Sequence, residues 1–380
     1  MLSIKNSIQI ISYLLLINTA LTAYIVTPME EEREYRIQQI SIPSDMRSSP
    51  DFSWFPDSQS IVIPLIQRFD KNDFRSVIAV IEVGSGKVEI LTEPNIKHSN
   101  PVCSPDGKRI AYIGPMDEFS AVWTMDINGK SKAPLNNIRC WHKPVWSPDS
   151  KSLLFTERNN DVWIVNADGS ELKKVTSGPG ARSRPKWSPD GNLIAYVDTS
   201  ESELRLMDAN GNNQRVLAKL VSMTGYKPIG DSDDFYDWSP DGKSIVYAYR
   251  PIPREGKPIT YNGGIYPYEI WIVNVDSSDK LCLTPEEISC GHPLWSPDNK
   301  YILFESAYKW SVSKISKIPN PHHKRNIWML DLVEKKKRQL TNSGRIREYA
   351  ISPDGKKIIF MTEDDTRIFI IDCSSPPLKQ

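Results

Sequence analysis

A short turn recurs seven times along the chain. It reads Trp-Ser-Pro-Asp-Gly in its fullest form, and its copies occupy residues 54–57, 103–107, 146–149, 187–191, 238–242, 295–298 and 351–355. From Asp57 to Asp354 the shared aspartate recurs at intervals of 49, 43, 41, 51, 57 and 56 residues. This spacing fits a unit of four short strands with their turns, as in propeller blades. The sequence therefore predicts an all-β protein, a seven-bladed β-propeller of four-stranded antiparallel blades.

The third repeat, residues 143–176, shows how one blade is encoded. Residues 143–146, 152–156, 161–165 and 172–176 read as four strands, which we name A to D in chain order. Between strands A and B, proline presets the backbone dihedral angle of the turn. Glycine, present in four of the seven copies, takes the left-handed conformation that closes the hairpin. The repeated motif is therefore predicted to be structural.

Two further features complete the predicted ring. Strand C carries an aromatic residue in five repeats, and we expect these rings to pack between neighbouring blades: Trp123, Trp163, Trp271, Trp328 and Phe369. The seventh repeat ends after strand C, where two prolines disfavour a paired fourth strand. Residues 34–41 precede the first motif and have strand character, so we predict that they supply strand D of the last blade. Such closure removes exposed sheet edges.

The N-terminal residues 1–33 are predicted to be a signal peptide or a membrane anchor, followed by the propeller over residues 34–380. Lys5 precedes an apolar run over residues 8–26, and an acidic stretch over residues 30–34 follows it. This order places the propeller outside the cytoplasm, in the periplasm or the extracellular space. Contact with the membrane is expected only through residues 8–26, if that segment stays uncleaved.

The charge balance and the cysteine content argue against a nucleic-acid-binding protein and against a scaffold built on disulfides. The 47 basic and 47 acidic side chains cancel, so nothing favours nucleic acid as a partner. Five cysteines leave at least one free thiol unless chains pair, and the scaffold is not built on disulfides. Cys282 and Cys290 lie eight residues apart around one loop and are the pair most able to form a bridge in an oxidising compartment.

The Trp-Ser-Pro-Asp-Gly copies, each followed by a strand and an aromatic strand C, resemble TolB-type propeller repeats over residues 44–380. That resemblance implies export and protein binding. The chain departs from TolB in lacking its N-terminal α/β domain and in having seven motifs where TolB has six blades. Similar repeats form the propeller of prolyl oligopeptidase and dipeptidyl peptidase relatives. No Gly-x-Ser-x-Gly nucleophile motif of their hydrolase domain occurs in this sequence.

The predicted partner-binding surface lies on the face formed by the D-to-A and B-to-C connections. Three long loops, residues 218–235, 250–268 and 306–326, belong to this face in blades four to six. Loops of this length in a regular scaffold are often binding elements, although they also fold over a protein as lids. They and their borders are rich in aromatic residues suited to anchoring a partner: Tyr226, Tyr236, Tyr261, Tyr266, Tyr268, Tyr308 and Trp310.

Polar residues near the start of strand A are predicted to rim the central tunnel. They are His98, His142, Arg182, Arg184, Asp233, Asp234, His292, Arg345 and Arg347. His98, His142 and His292 come from different blades and could form a metal site, as the resemblance to seven-bladed oligogalacturonate lyases also suggests. They precede their prolines by three, two and one residues, however, so their heights in the ring differ. A mixed Arg and Asp ring could instead hold an acidic peptide or a sugar acid.

These observations favour an exported, noncatalytic propeller that binds a protein or peptide partner of the cell envelope. We assign no catalytic residue, metal ligand or cofactor from the sequence. The alternative function is a metal-dependent polysaccharide lyase or hydrolase acting in the central funnel. Since propellers serve both as binding proteins and as enzymes, the fold by itself does not separate the two.

Overall fold

The computed structural model describes residues 35–95, 98–140, 142–176, 182–220, 235–249, 268–285, 290–307, 325–342, 346–362 and 367–374. These residues form seven antiparallel sheets, six of four strands and one of five. Each sheet holds one motif turn, which joins its strand A to its strand B, as the repeat spacing predicts. The seven-bladed propeller is therefore confirmed.

The first four blades follow one another along the chain. Blade one contains β2 (Met46–Ser48), β3 (Ser53–Trp54), β4 (Ser60–Arg68), β5 (Phe74–Glu82) and β6 (Val88–Ile90). Blade two contains β7 (Ser99–Cys103), β8 (Arg109–Met116), β9 (Phe119–Asp126) and β10 (Ala133–Pro134). Blade three contains β11 (Val145–Trp146), β12 (Ser152–Thr156), β13 (Val162–Asn166) and β14 (Lys173–Lys174). Blade four contains β15 (Arg182–Trp187), β16 (Leu193–Asp198), β17 (Glu203–Asp208) and β18 (Arg215–Lys219).

The last three blades keep the same order, except that blade seven draws a strand from the N-terminal side. Blade five contains β19 (Tyr236–Trp238), β20 (Ser244–Tyr249), β21 (Glu269–Asn274) and β22 (Lys280–Cys282). Blade six contains β23 (Gly291–Trp295), β24 (Tyr301–Ala307), β25 (Arg325–Asp331) and β26 (Lys337–Gln339). Blade seven contains β27 (Ile346–Ile351), β28 (Lys357–Thr362), β29 (Ile368–Asp372) and β1 (Ile37–Ile40).

Pairing of β1 with β29 confirms the predicted closure of the ring. The register runs from Ile37 opposite Ile371 to Ile40 opposite Ile368. Blade seven also contacts blade one directly, since the Trp54 indole N–H donates to the carbonyl of Ala350 at 3.3 Å. The ring is therefore closed both by β1 in blade seven and by the hydrogen bond between Trp54 of blade one and Ala350 of blade seven.

Aromatic side chains fill the spaces between blades. Strand B contributes a buried aromatic residue in six blades: Tyr112, Phe155, Tyr196, Tyr247, Phe304 and Phe360. Five of them lie opposite the aromatic residues predicted for strand C, as with Phe360 and Phe369, whose stacked ring centroids are 5.2 Å apart. The strand C aromatics therefore belong to the core, as predicted.

Among the described residues, no helix has the length and apolar character needed to cross a bilayer. The apolar run over residues 8–26 lies outside the described part of the chain.

Candidate functional site

The two ends of the propeller differ: one end repeats the same side-chain contact in successive blades, and the other carries different side chains in each blade. The turn end carries the motif turns, in which the serine hydroxyl donates to the aspartate carboxylate at 2.6 Å, as in Ser104 with Asp106 and Ser147 with Asp149. This hydrogen bond is the main cause that lowers the pKa of both aspartates. Because the same contact repeats from blade to blade, it serves the fold. The funnel end, with the D-to-A and B-to-C connections, is where the blades differ.

One residue per blade defines the inner edge of the funnel end. It lies on or next to the inner strand, three positions before the first residue of each motif turn. We call this set the funnel ring: Asp51, Asn100, Lys143, Arg184, Phe235, His292 and Glu348. Phe235 is buried, and the other six are partly exposed. Since inner strands border the central channel of a propeller, the ring presents different polar groups around one opening.

Two basic members of the funnel ring have defined contacts. The Lys143 ammonium donates to the carbonyl of Phe52 at 2.9 Å, so it extends from blade three to blade one. The Arg184 guanidinium lies 4.8 Å from the ring centroid of Phe235 in the next blade. Cation–π contact of this kind orients a guanidinium without neutralising it. The basic part of the ring is therefore held in place by neighbouring blades.

Three ring residues adopt a strained backbone conformation. The φ angles of Asn100, Arg184 and His292 are 51°, 56° and 48°, and each residue precedes a proline. The pairing register between strands A and B shifts at each of these places, which marks a bulge. The hydroxyl of Tyr349 in blade seven donates to the carbonyl of His292. Left-handed conformations in residues other than glycine are often found at functional sites, where the surrounding structure maintains them.

Tyr236 has the same role in blade five that Tyr349 has in blade seven. Its hydroxyl donates to the carbonyl of Arg184 in blade four and also to the carbonyl of Ala195. Tyr236 is among the aromatic residues predicted from the sequence to anchor a partner. Its side chain is instead fully buried, so that assignment is corrected: Tyr236 supports the bulge of the preceding blade.

Blade six holds a buried acid at the funnel end of strand B. Glu305 is 1% exposed, and its carboxylate accepts from the Arg325 guanidinium at 3.4 Å. Nδ1 of His292 lies 3.3 Å from the other carboxylate oxygen, an ion-pair distance without the alignment of a hydrogen bond. Burial raises the pKa of Glu305, but His292 and Arg325 together outweigh burial and lower the pKa below its ordinary value. Glu305 is therefore ionised at neutral pH.

Arg182 belongs to a second ion-paired cluster and not to the tunnel rim. Its side chain is 8% exposed and lies 3.4 Å from the carboxylate of Asp161 in blade three. Lys174 pairs with the same carboxylate, and the hydroxyl of Thr176 donates to it at 3.1 Å. The position predicted for Arg182 is corrected because this carboxylate draws the guanidinium between the blades, away from the opening.

The three histidines that could have formed a metal site do not come together. His98 is partly buried beside Tyr112, and its Nδ1 lies 3.2 Å from the Thr92 hydroxyl oxygen. Burial is the main cause that lowers the pKa of His98. His142 is exposed, whereas His292 contacts Glu305. Within the described ranges, no three His, Cys, Asp or Glu side chains come together as metal ligands. These histidines therefore do not fit the metal site suggested by the lyase resemblance.

The long loops predicted to bind a partner lie mostly outside the described residues. The predicted anchors outside the described residues are Tyr226, Tyr261, Tyr266, Tyr308 and Trp310, and the predicted rim residues outside them are Asp233, Asp234 and Arg345. Tyr268 is described, and it is 5% exposed within the core between blades five and six, which does not fit an anchor on the surface. Arg347 is exposed and is the second residue of β27.

None of the five cysteines, all of which are described, takes part in a disulfide, so the bridge between Cys282 and Cys290 is not formed. Each of the two has a different polar neighbour. The Cys282 sulfur lies 3.7 Å from a carboxylate oxygen of Glu269, and the Cys290 sulfur lies 3.7 Å from the hydroxyl of Ser306. Both thiols are buried and belong to the core around blades five and six.

Comparisons with known proteins agree with this architecture. A family model described as the TolB beta propeller domain matches residues 34–257. The chain is 26% identical over 219 residues to the uncharacterized peptidase YuxL of Bacillus subtilis, across 55% of this chain and 29% of YuxL. It is 25% identical over 239 residues to the uncharacterized protein Atu1656 of Agrobacterium fabrum, across 57% of this chain and 78% of Atu1656. The chain thus spans less than a third of YuxL.

A solved structure supports the fold over nearly the whole chain. The structure described as oligogalacturonate lyase in complex with manganese superposes with a TM-score of 0.66. The match covers 91% of this chain and 95% of the lyase, at 13% sequence identity. A likeness at this identity concerns the fold and carries no information about the reaction.

Proposed function

Because the chain belongs to the TolB beta propeller domain family, we propose that it is an exported, noncatalytic propeller that binds a protein or peptide partner of the cell envelope through its funnel end. The observation that carries the proposal is the funnel ring. Its seven equivalent positions hold seven different residue types in a scaffold whose turn end repeats one contact. Varied, partly exposed polar groups on rigid inner strands are suited to recognising one particular surface.

The ring also has an uneven charge distribution. Arg184 is in blade four, Asp51 and Glu348 are in the neighbouring blades one and seven, and the ammonium of Lys143 reaches the Phe52 carbonyl in blade one. A partner that covers the opening would therefore meet basic and acidic groups at defined places. Such complementarity fixes the orientation of a partner and speeds its association more than it raises affinity.

Export is part of the same proposal. Residues 1–33 would act as a signal peptide or an anchor, so the propeller would work in the periplasm or outside the cell. The alternative, a metal-dependent polysaccharide lyase or hydrolase, gains no support from the described histidines, which lie in three separate environments.

Site-specific photocrosslinking tests the proposal. A benzoylphenylalanine residue would replace Arg347 at the funnel end in one variant and Lys151 at the turn end in the other, where the Lys151 side chain is 81% exposed. In cells of the source organism, the Arg347 variant should give a discrete crosslinked protein that the Lys151 variant does not give. Equal crosslinking at both ends, or none at the funnel end, would contradict the proposal.

A further inference from the structure

Blade one carries a hairpin that projects from the funnel end. Among the described strands, β4 and β5 are the longest, with 9 residues each, whereas strand B of blade three has 5. In both blades strand B starts six residues after the motif tryptophan, at Ser60 and Ser152. Four additional residues at about 3.4 Å each therefore extend the hairpin of blade one by about 13 Å. We call residues 68–75 the hairpin tip.

The hairpin tip has a defined conformation although it projects. β2 pairs with β4 next to this extension, at residues 65–67, so blade one has a fifth strand. At the tip, the backbone N–H of Phe69 donates to the carbonyl of Asp73 at 2.9 Å. The guanidinium of Arg75 donates to both oxygens of the Asp73 carboxylate, at 3.0 and 2.7 Å. Groups that are already positioned lose little entropy on binding.

Two phenylalanine side chains of the hairpin tip face solvent. Phe69 is 50% exposed and Phe74 is 48% exposed. The guanidinium of Arg75 lies 4.8 Å from the ring centroid of Phe69, and that of Arg68 lies 5.8 Å from the ring centroid of Phe74. Single exposed apolar residues are common on protein surfaces, whereas a group of them indicates an interaction site. The paired rings therefore mark the hairpin tip as a contact surface.

The charges of the hairpin tip favour a partner surface that is apolar and acidic. Asp73 is paired with Arg75, whereas Arg68 and Lys71 form no ion pair within the described part of the chain. The tip has three basic and two acidic residues, which gives a net charge of +1. An anionic bilayer fits this tip less well than a protein does, because the carboxylates of Asp70 and Asp73 would have to approach the negative headgroup layer.

We infer that the hairpin tip is the main contact through which the chain holds its protein partner. Phe69 and Phe74 would enter an apolar pocket of the partner. Arg68 and Lys71 would meet carboxylates at the edge of that pocket. Aromatic residues and arginine contribute most of the binding energy in many protein interfaces. This inference rests on the proposed function, because the occupant is the same envelope partner.

Photocrosslinking in cells tests the inference with a benzoylphenylalanine residue in place of Asn72. Asn72 is an exposed, uncharged residue of the hairpin tip. This variant should give the same discrete protein product as the Arg347 variant. A lipid product, a crosslink to a second copy of this chain, or no product would overturn the inference. A discrete protein product at Asn72 with none at Arg347 would reject binding through the funnel ring and keep the hairpin site.

Substitutions at the hairpin tip test whether the two rings hold the partner. The crosslinked protein, once identified by mass spectrometry and purified, would be titrated with the full chain. Phe69→Ser and Phe74→Ser should each raise the Kd at least about fivefold, the effect of losing a residue that dominates an interface. Ile90→Ser is the matched control, because Ile90 lies on the outer strand of the same blade and is also 50% exposed. This control should leave the Kd unchanged.

A charge variant leaves both rings in place. Arg68→Gln should slow association with the purified partner, and the effect should be larger at low ionic strength. Melting temperatures close to that of the parent protein would show that the variants keep the fold, as expected for exposed positions. An unchanged Kd in both phenylalanine variants, or an association rate that Arg68→Gln does not alter, would overturn the inference.

Discussion

Replacing Glu305 by methionine tests whether this buried acid is present for stability or for positioning. Methionine is the residue that blade seven carries at the same position, as Met361. The substitution removes a charge that is 1% exposed and replaces it with a flexible apolar side chain. His292 and Arg325 lose their shared partner, but both are partly exposed and can be hydrated.

The change in the free energy of unfolding of this variant is the sum of opposing contributions of similar size. Loss of the ion pair destabilises the fold, whereas burial of a methionine side chain contributes about 1.5–3 kcal/mol and no charge needs to be desolvated. We therefore expect the free energy of unfolding of Glu305→Met to stay within about 1 kcal/mol of the parent protein.

The reciprocal substitution, Met361→Glu, is the matched control. Met361 is fully buried among apolar residues of blades seven and one, among them Ile359 and Ile368. Keeping a carboxyl group protonated there at pH 7 costs about 3 kcal/mol, in addition to the lost apolar burial. Urea denaturation should therefore show a loss of at least about 3 kcal/mol for Met361→Glu. If Glu305→Met loses as much stability, the acid is needed for the fold, and the expectation that it mainly positions His292 and Arg325 is refuted.

Three smaller predictions concern the scaffold. Ile40→Ala, at a buried position of the closing strand, should cost about 2–4 kcal/mol by urea denaturation, whereas Ile37→Ala, at a 43% exposed position of the same strand, should stay within about 0.5 kcal/mol. Gly211→Ala should lower the melting temperature, because φ is +87° and a Cβ atom would lie 2.6 Å from a carbonyl oxygen. Ser147→Ala should raise the pKa of Asp149 toward its ordinary 3.8, because the hydroxyl that lowers this pKa is removed. In thermal scans from pH 7 to pH 2, the variant should therefore lose less stability below pH 3.8 than the parent protein does.

Most of the fold could be predicted from the repeat pattern, because the residues that determine each blade lie close together in the sequence. The spacing of the motif turns sets the number of blades, and turn chemistry fixes where strands A and B meet. Closure by residues near Ile37 also follows from the sequence, since the seventh repeat lacks a fourth strand and an unpaired strand precedes the first. Both inferences depend on short stretches of chain and on simple counting.

The directions of the side chains in the candidate functional site could not be predicted from the repeat pattern. Arg182 and Arg184 both read as rim residues, but Arg182 pairs regularly with strand B and its guanidinium lies beside Asp161, whereas Arg184 lies in the bulge that follows Ser183. Tyr268 reads as a loop anchor, and it is buried because strand C of blade five begins directly after it. Glu305 went unnoticed because a charged residue in a sequence is ordinarily expected at the surface. The signal that could have found it is the comparison of equivalent positions across blades.

Strand direction shows at which end of the propeller the described chain begins. Strand A runs from the funnel end to the turn end, and β1, as a strand D, runs the opposite way, so Ile37 lies near the turn end. Ten residues link the apolar run to Ile37 and can span at most about 33–36 Å. A retained anchor would therefore hold the turn end toward the membrane and leave the funnel end open to a partner. A photocrosslinker at Lys151 would then react with lipid, and its failure to do so would speak against retention.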